Sequence, residues 1–230
     1  RPFGTAADYI ALPAEQAVKL QDNIGFAAGA CLGIPAMTAT HAIALAGCDK
    51  GTTVLVAGGA GAVGQYTIQF AKALGATVLT TVSSPEKAAA AREAGADQTI
   101  DYKREDVGER VIEITDKRGV DAIIEMDLAA NAKLIPSVLR PKGSVIVYGT
   151  GAATAALPAY FCLTNSIRVQ FFLVYELDAR QREQAVGAIT RALEQGQLLN
   201  RVGPTFPLAE IAAAHEAVER GTIGNVIVTM

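Results

Sequence analysis

The sequence has no tryptophan, two histidines and three cysteines among 230 residues, and each shortage closes a route. Cys31, Cys48 and Cys162 are odd in number, far apart and in no CxxC pair, so no disulfide framework is expected. They read as small buried hydrophobes in a reducing, cytoplasmic setting. His41 and His215 show no HxxxH spacing, which leaves a metal ion without a recognisable ligand set. Charge of one sign is scarce as well. Against 23 acidic residues there are 20 basic ones, a net charge of −3 with no cationic stripe, so nucleic acid is not an expected partner.

Long uninterrupted apolar runs are also missing. Residues 24–48 hold no Asp, Glu, Lys or Arg, but Gly25, Gly29, Gly33, Gly47 and Pro35 interrupt them, so they read as a buried loop and helix and no membrane is expected. Residues 143–167, equally uncharged, are broken by Gly149, Gly151 and Pro158. No basic stretch leads into an apolar one after Arg1, so no signal peptide is expected.

What is present is an alternation. Half the residues are hydrophobic and 19% are charged, ordinary for a packed α/β domain. The run Thr-Val-Leu-Val-Ala-Gly from Thr53 reads as a strand, followed by a helix over 62–74 with Gly75 placed to stop it. Residues 77–82 form the next strand, and Ser84-Pro85-Glu86-Lys87 opens a helix with a serine cap and proline in its first turn. Further strands are predicted at 98–101, 120–124, 144–148 and 168–174, with helices at 106–116, 130–139, 180–195 and 208–220. Six strands with helices between them predict a Rossmann-type, doubly wound parallel sheet. Residues 7–12 and 225–229 are strand-like but lie outside this alternation, and unpaired strands associate readily, so a partner domain is expected beyond this sequence.

Directly after the first strand comes GxGxxG at Gly59, Gly61 and Gly64. The first glycine permits a tight turn, the second lets a diphosphate approach the backbone, and the third lets helix and strand pack closely. Gln65-Tyr66 follows where a nucleotide triphosphatase loop needs Lys and Ser or Thr. An NAD site would place an acid at the end of the second strand, yet no acid lies between Gly64 and Pro85. That strand ends Thr-Thr-Val-Ser83-Ser84, with Lys87 one turn later, and such hydroxyls and a cation favour the 2′-phosphate of NADP(H). A plain helix cap at Ser84 and a solvated Lys87 are the competing reading.

Together, Gly33-Ile-Pro-Ala-Met-Thr-Ala39, Gly58-Gly-Ala-Gly-Ala-Val-Gly64, Asp101-Tyr-Lys-Arg-Glu-Asp106, Val145-Ile-Val-Tyr-Gly149, Phe206-Pro-Leu and Ala214-His-Glu216 resemble the medium-chain dehydrogenase/reductase superfamily. Within it, the chain is similar to the zinc-free quinone oxidoreductases related to zeta-crystallin. The resemblance implies NADP(H) held by a Rossmann domain at 23–205, with remnants of a GroES-like barrel at 1–22 and 206–230. It implies cofactor contacts at Gly59, Gly61, Ala62, Val63, Gly64, Ser83, Ser84, Lys87, Tyr102, Gly149, Thr150, Phe171, Phe172 and Asn225, and a nicotinamide-proximal Thr38. Core packing is the competing reading for the two phenylalanines. Ile34 stands where the zinc alcohol dehydrogenases of the superfamily carry a cysteine ligand, so no metal is expected. Asn225 stands where many relatives have lysine. His215 reads as a packed histidine on a Leu208, Ile211, Val218 face.

The implied reaction is hydride transfer from NADPH to a quinone or a similar α,β-unsaturated carbonyl. No catalytic side chain is assigned. YxxxK is absent after every tyrosine, which leaves solvent as the expected proton source. A catalytically silent cofactor-binding module, an enoyl reductase and a zinc-free alcohol dehydrogenase stay open. The apolar strand at 168–174 would be a sheet edge, and the resemblance implies a homodimer through it.

Overall fold

The computed structural model describes residues 4–230. Six strands form one parallel sheet: β1 (Thr53–Val56), β2 (Thr77–Val82), β3 (Gln98–Asp101), β4 (Val120–Glu125), β5 (Leu139–Val147) and β6 (Arg168–Phe171). Their order is β3-β2-β1-β4-β5-β6. The order reverses between β1 and β4, and the crevice at such a switch point is where open α/β sheets bind ligands.

Helices cover both faces. On one lie α1 (Phe26–Cys31), α2 (Met37–Ala46), α3 (Ala62–Ala73) and α4 (Pro85–Glu93), together with α9 (Ala179–Glu194). On the other lie α5 (Val107–Ile114), α6 (Leu128–Asn131), α7 (Ile135–Val138) and α8 (Ala159–Thr164). Residues of β4 divide between the two layers: Ala122 and Ile124 join the first core and Ile123 the second, as does Val120 beyond a register shift. A strand buried on both faces explains why these segments read as continuous β-branched runs.

The chain ends in a separate two-stranded parallel sheet, β7 (Val202–Pro207) and β8 (Asn225–Thr229), joined through α10 (Ile211–Glu219). The structure differs from the sequence reading in several places. Residues 7–12 form no strand, because nothing among the described residues pairs with them. The predicted helix at 130–139 is broken into α6, a short 3-10 turn and α7, because Pro136 lacks the amide a continuous helix needs, and Leu139 already belongs to β5. The predicted strand at 168–174 stops at Phe171, where its partner β5 ends at Val147.

Residues 24–48 are helical almost throughout, where a loop and helix were expected. Pro35 is absorbed by a π-helical stretch, Leu32–Ala36, joining α1 to α2. Among the described residues, this Phe26–Ala46 run is long and apolar enough to cross a membrane by length and composition, and half of its most apolar window is buried inside the fold. His215 is exposed, not packed: α10 buries Ala214 and Ala217, while Ile211 and Val218 face outward.

Candidate cofactor site

The glycine-rich turn connects β1 to α3 beside the switch point. It is fixed from below by β2: the Gly58 amide donates to Thr81 Oγ1 at 3.0 Å, the Gly59 amide to the Thr81 carbonyl at 3.2 Å, and Thr80 Oγ1 to the Val56 carbonyl at 2.7 Å. Gly58 has φ +69°, a conformation that favours glycine. A Cβ on Gly59 would lie 2.9 Å from Ile68 Cδ1, and one on Gly64 would lie 2.8 Å from the Gly59 Cα. Those two glycines are therefore required by the packing of the turn itself. At Gly61 an added Cβ meets just the Gly58 carbonyl oxygen, at 3.3 Å, and its other sides are open. No side chain caps α3 and no acid lies in its first turn. The amides of Ala62, Val63 and Gly64 thus have no intrahelical acceptor and carry the positive end of the helix dipole. Open space over Gly61 and free amides behind it fit a diphosphate.

At the end of β2, Ser83, Ser84 and Lys87 are joined into one group. Lys87 Nζ donates to Ser83 Oγ at 3.1 Å, and Ser84 caps α4 by accepting from the Lys87 amide at 3.3 Å. Glu86 shares this group: a hydrogen bond with the Ser84 side chain holds its exposed carboxyl below the ordinary 4.5. Tyr102 follows β3, its amide donating to the Val82 carbonyl at 3.1 Å and its ring half-exposed. Gly58, Thr81, Tyr102, Met126, Asp127 and Asn131 line part of a cavity of about 510 Å³ at this edge, within the range of small-molecule sites.

Thr38 is buried in α2, its hydroxyl donating to the Ile34 carbonyl at 2.7 Å. The two phenylalanines part company. Phe172 packs on the first core, edge-on to His41 with centroids 4.9 Å apart and tilted against Tyr148 at 6.5 Å, whereas Phe171 is 61% exposed. Burial lowers the His41 pKa, with Asp178 opposing, and burial raises that of Tyr148. Gly149 lies so close to Met126 that a Cβ would overlap its carbonyl oxygen, and Thr150 donates to the Ala152 carbonyl at 3.0 Å. Asn225 opens β8, and the neighbouring Gly224 amide donates to the Ala60 carbonyl at 3.1 Å, which ties the last strand to the glycine-rich turn.

Sequence reasoning missed the turn after β4. Glu125 is buried there, its Oε1 accepting from the Asp127 amide at 2.6 Å and from Asn131 Nδ2 at 2.9 Å. Burial raises its pKa above the ordinary 4.5, against these hydrogen bonds. The available signal was an acid closing an otherwise apolar strand, followed by Asp127 in a capping position.

Residues 62–191 match the family model described as zinc-binding dehydrogenase. The chain is 31% identical over 235 residues to a quinone oxidoreductase of Pseudomonas aeruginosa, covering 98% of itself and 71% of that protein. It is also 31% identical to a 2-haloacrylate reductase of a Burkholderia species, over 98% of this chain and 71% of the relative. Among solved structures, the quinone oxidoreductase of Thermus thermophilus, described alone and in complex with NADPH, superposes with a TM-score of 0.88 at 29% identity, covering 100% of this chain and 75% of that one. Fold order, turn and sequence agree: the chain belongs to the zinc-binding dehydrogenase family, within the quinone oxidoreductase group of the medium-chain dehydrogenase/reductase superfamily.

Proposed function

We propose that this chain carries the NADP(H)-binding half of a zinc-independent reductase whose acceptor is a quinone or a similarly activated enone. The protein is an oxidoreductase that binds NADP(H), in keeping with its quinone oxidoreductase relatives and with neighbours solved with NADPH. One observation carries the reading most: the uncapped start of α3 over an open Gly61 at the sheet's switch point.

In this proposal, Gly59, Gly61, Ala62, Val63 and Gly64 hold the diphosphate, and Ser83, Ser84, Lys87 and Tyr102 hold the 2′-phosphate and adenosine ribose. Gly149, Thr150, Phe172 and Thr38 border the nicotinamide half, with Asn225 beside the diphosphate turn and Phe171 at the outer rim. Bound NADPH supplies the hydride. The chain's own contribution is to hold and orient it and to exclude water with Phe172 and Tyr148. Ile34 in place of a cysteine ligand supports zinc independence. Among the described residues no three His, Cys, Asp or Glu side chains converge. Residues 1–22 and 206–230 are assigned to a barrel domain flanking the Rossmann domain at 23–205, in a cytoplasmic homodimer.

The test is a fluorescence titration followed by turnover. NADPH is expected to bind at least tenfold tighter than NADH, a difference of about 1.4 kcal/mol from the charge-assisted 2′-phosphate contacts. Equal affinities would remove the assignment of Ser83, Ser84 and Lys87. NADPH oxidation is then followed with 1,4-benzoquinone, with an acrylate bearing an electron-withdrawing substituent, and with an enoyl thioester. The acrylate arm is prompted by the haloacrylate reductase relative. Binding without turnover on any acceptor would favour a cofactor-binding module.

A further inference from the structure

The loop after β5 has few anchors of its own. The Thr150 hydroxyl donates forward to the Ala152 carbonyl, and the backbone at Gly149 and Gly151 leans on the turn after β4. That turn grips it at two points: the Leu128 amide donates to the Gly149 carbonyl at 3.3 Å, and Asp127 Oδ1 accepts from the Gly151 amide at 2.8 Å. The same Asp127 oxygen caps α6 by accepting from the Ala130 amide at 3.3 Å. Asp127 is held in turn from beneath, since Glu125 Oε1 accepts its backbone amide at 2.6 Å and also Asn131 Nδ2 at 2.9 Å. A Cβ on Gly151 would stand 2.9 Å from Asp127 Oδ2, so the loop and the carboxylate are in direct contact on both sides of the hydrogen bond.

We infer that Asp127 is a positioning residue for the cofactor: its carboxylate sets the height of the 149–151 loop, and buried Glu125 sets Asp127. The inference rests on the functional reading above, which places Gly149 and Thr150 beside the nicotinamide half. An ionised acceptor on a backbone amide is stronger than a neutral one, and removing it takes away the hydrogen bond that holds the Gly151 amide. Asp127 also lines part of the cavity beside Gly58, Thr81 and Tyr102, but the role inferred for it acts through its hydrogen bonds to the Gly151 and Ala130 amides.

Three variants of the full chain test this, each followed by NADPH titration, thermal melting and amide exchange at Gly151. Asp127→Ala is expected to expose the Gly151 amide to exchange without cofactor and to weaken NADPH binding about tenfold, the loss of one charge-assisted hydrogen bond. Asp127→Asn keeps an oxygen acceptor and is expected to stay within about threefold of the parent, a rescue that a generic loss of stability would not give. Gly151→Ala leaves the α6 cap intact but crowds the carboxylate; it is expected to weaken NADPH binding as well, and it decides the matter should Asp127→Ala fail to fold. A parent-like NADPH affinity in Asp127→Ala or, where that variant does not fold, in Gly151→Ala overturns the inference, as does a Gly151 amide that exchanges freely in the parent. A parent that protects Gly151 but binds no NADPH overturns the functional reading instead.

Discussion

Glu125 shows how much of this site depends on one buried group. Burial raises its pKa from the ordinary 4.5, while hydrogen bonds from Asn131 and the Asp127 and Met126 backbone pull the other way. A carboxyl whose folded pKa is raised gives stability that is complete below its unfolded value and lost as pH rises through the folded one. The window therefore opens above about pH 4.5. Glu125→Gln keeps the Oε1 acceptor without the charge, so the variant is expected to melt above the parent at pH 7, with the gap shrinking toward pH 4. Differential scanning calorimetry across that range checks it, and a parent that melts higher at pH 7 refutes the argument. Gly59, Gly61 and Gly64 were legible in the sequence because their spacing follows from backbone geometry alone. Glu125 and Asp127 were not, because an acid at a strand end reads as solvated until α6 folds over it.

Strands and helices are held at the opposite end of the sheet by a second carboxylate. Asp121 on β4 accepts from the Thr53 amide of β1 at 2.7 Å, from Arg118 at 2.9 and 3.0 Å, and from Arg140 Nε of β5 at 2.5 Å. Burial pushes the Asp121 pKa up, but the Arg118, Thr53 and Arg140 hydrogen bonds outweigh it and the net shift is below the ordinary 3.8. Its stabilisation is thus present above that value and lost as pH falls through the folded pKa. Asp121→Asn is expected to cost about 2 kcal/mol in urea unfolding at pH 7, the range for hydrogen bonds to a charged group, and the cost is expected to fade below about pH 3.8. An unchanged unfolding midpoint at pH 7 would show the clamp to be idle. The strands it ties were readable from their β-branched runs and glycine punctuation. β7 was not, because Val-Gly-Pro-Thr-Phe-Pro carries two prolines and a glycine, a composition that two-stranded edges tolerate and central strands do not. The strand order was not readable either, since it is decided by crossovers among distant segments.

The six-stranded sheet ends in two edge strands, β3 and β6, and the β6 edge is the one flanked by exposed apolar side chains. Among the described residues β6 pairs with β5 and with no other strand, and around it Leu163 is 79% exposed and Phe171 61%, with Tyr160, Leu173 and Tyr175 also exposed. The amide of Phe172 points inward to the Val147 carbonyl, so by the two-residue period of a strand those of Val169 and Phe171 point outward, unpaired. An unpaired edge flanked by exposed apolar side chains is prone to associate, and a two-fold axis beside β6 would cover it with its own copy and join the two sheets into one. Light scattering at micromolar concentration is expected to give twice 23.9 kDa. Leu163→Lys places a charge on that rim without touching either core, so it is expected to shift the mass toward the monomer while leaving the melting temperature and NADPH affinity near the parent's. A parent that is monomeric, or a Leu163→Lys protein as dimeric as the parent, would mean that this edge is not covered by a second copy.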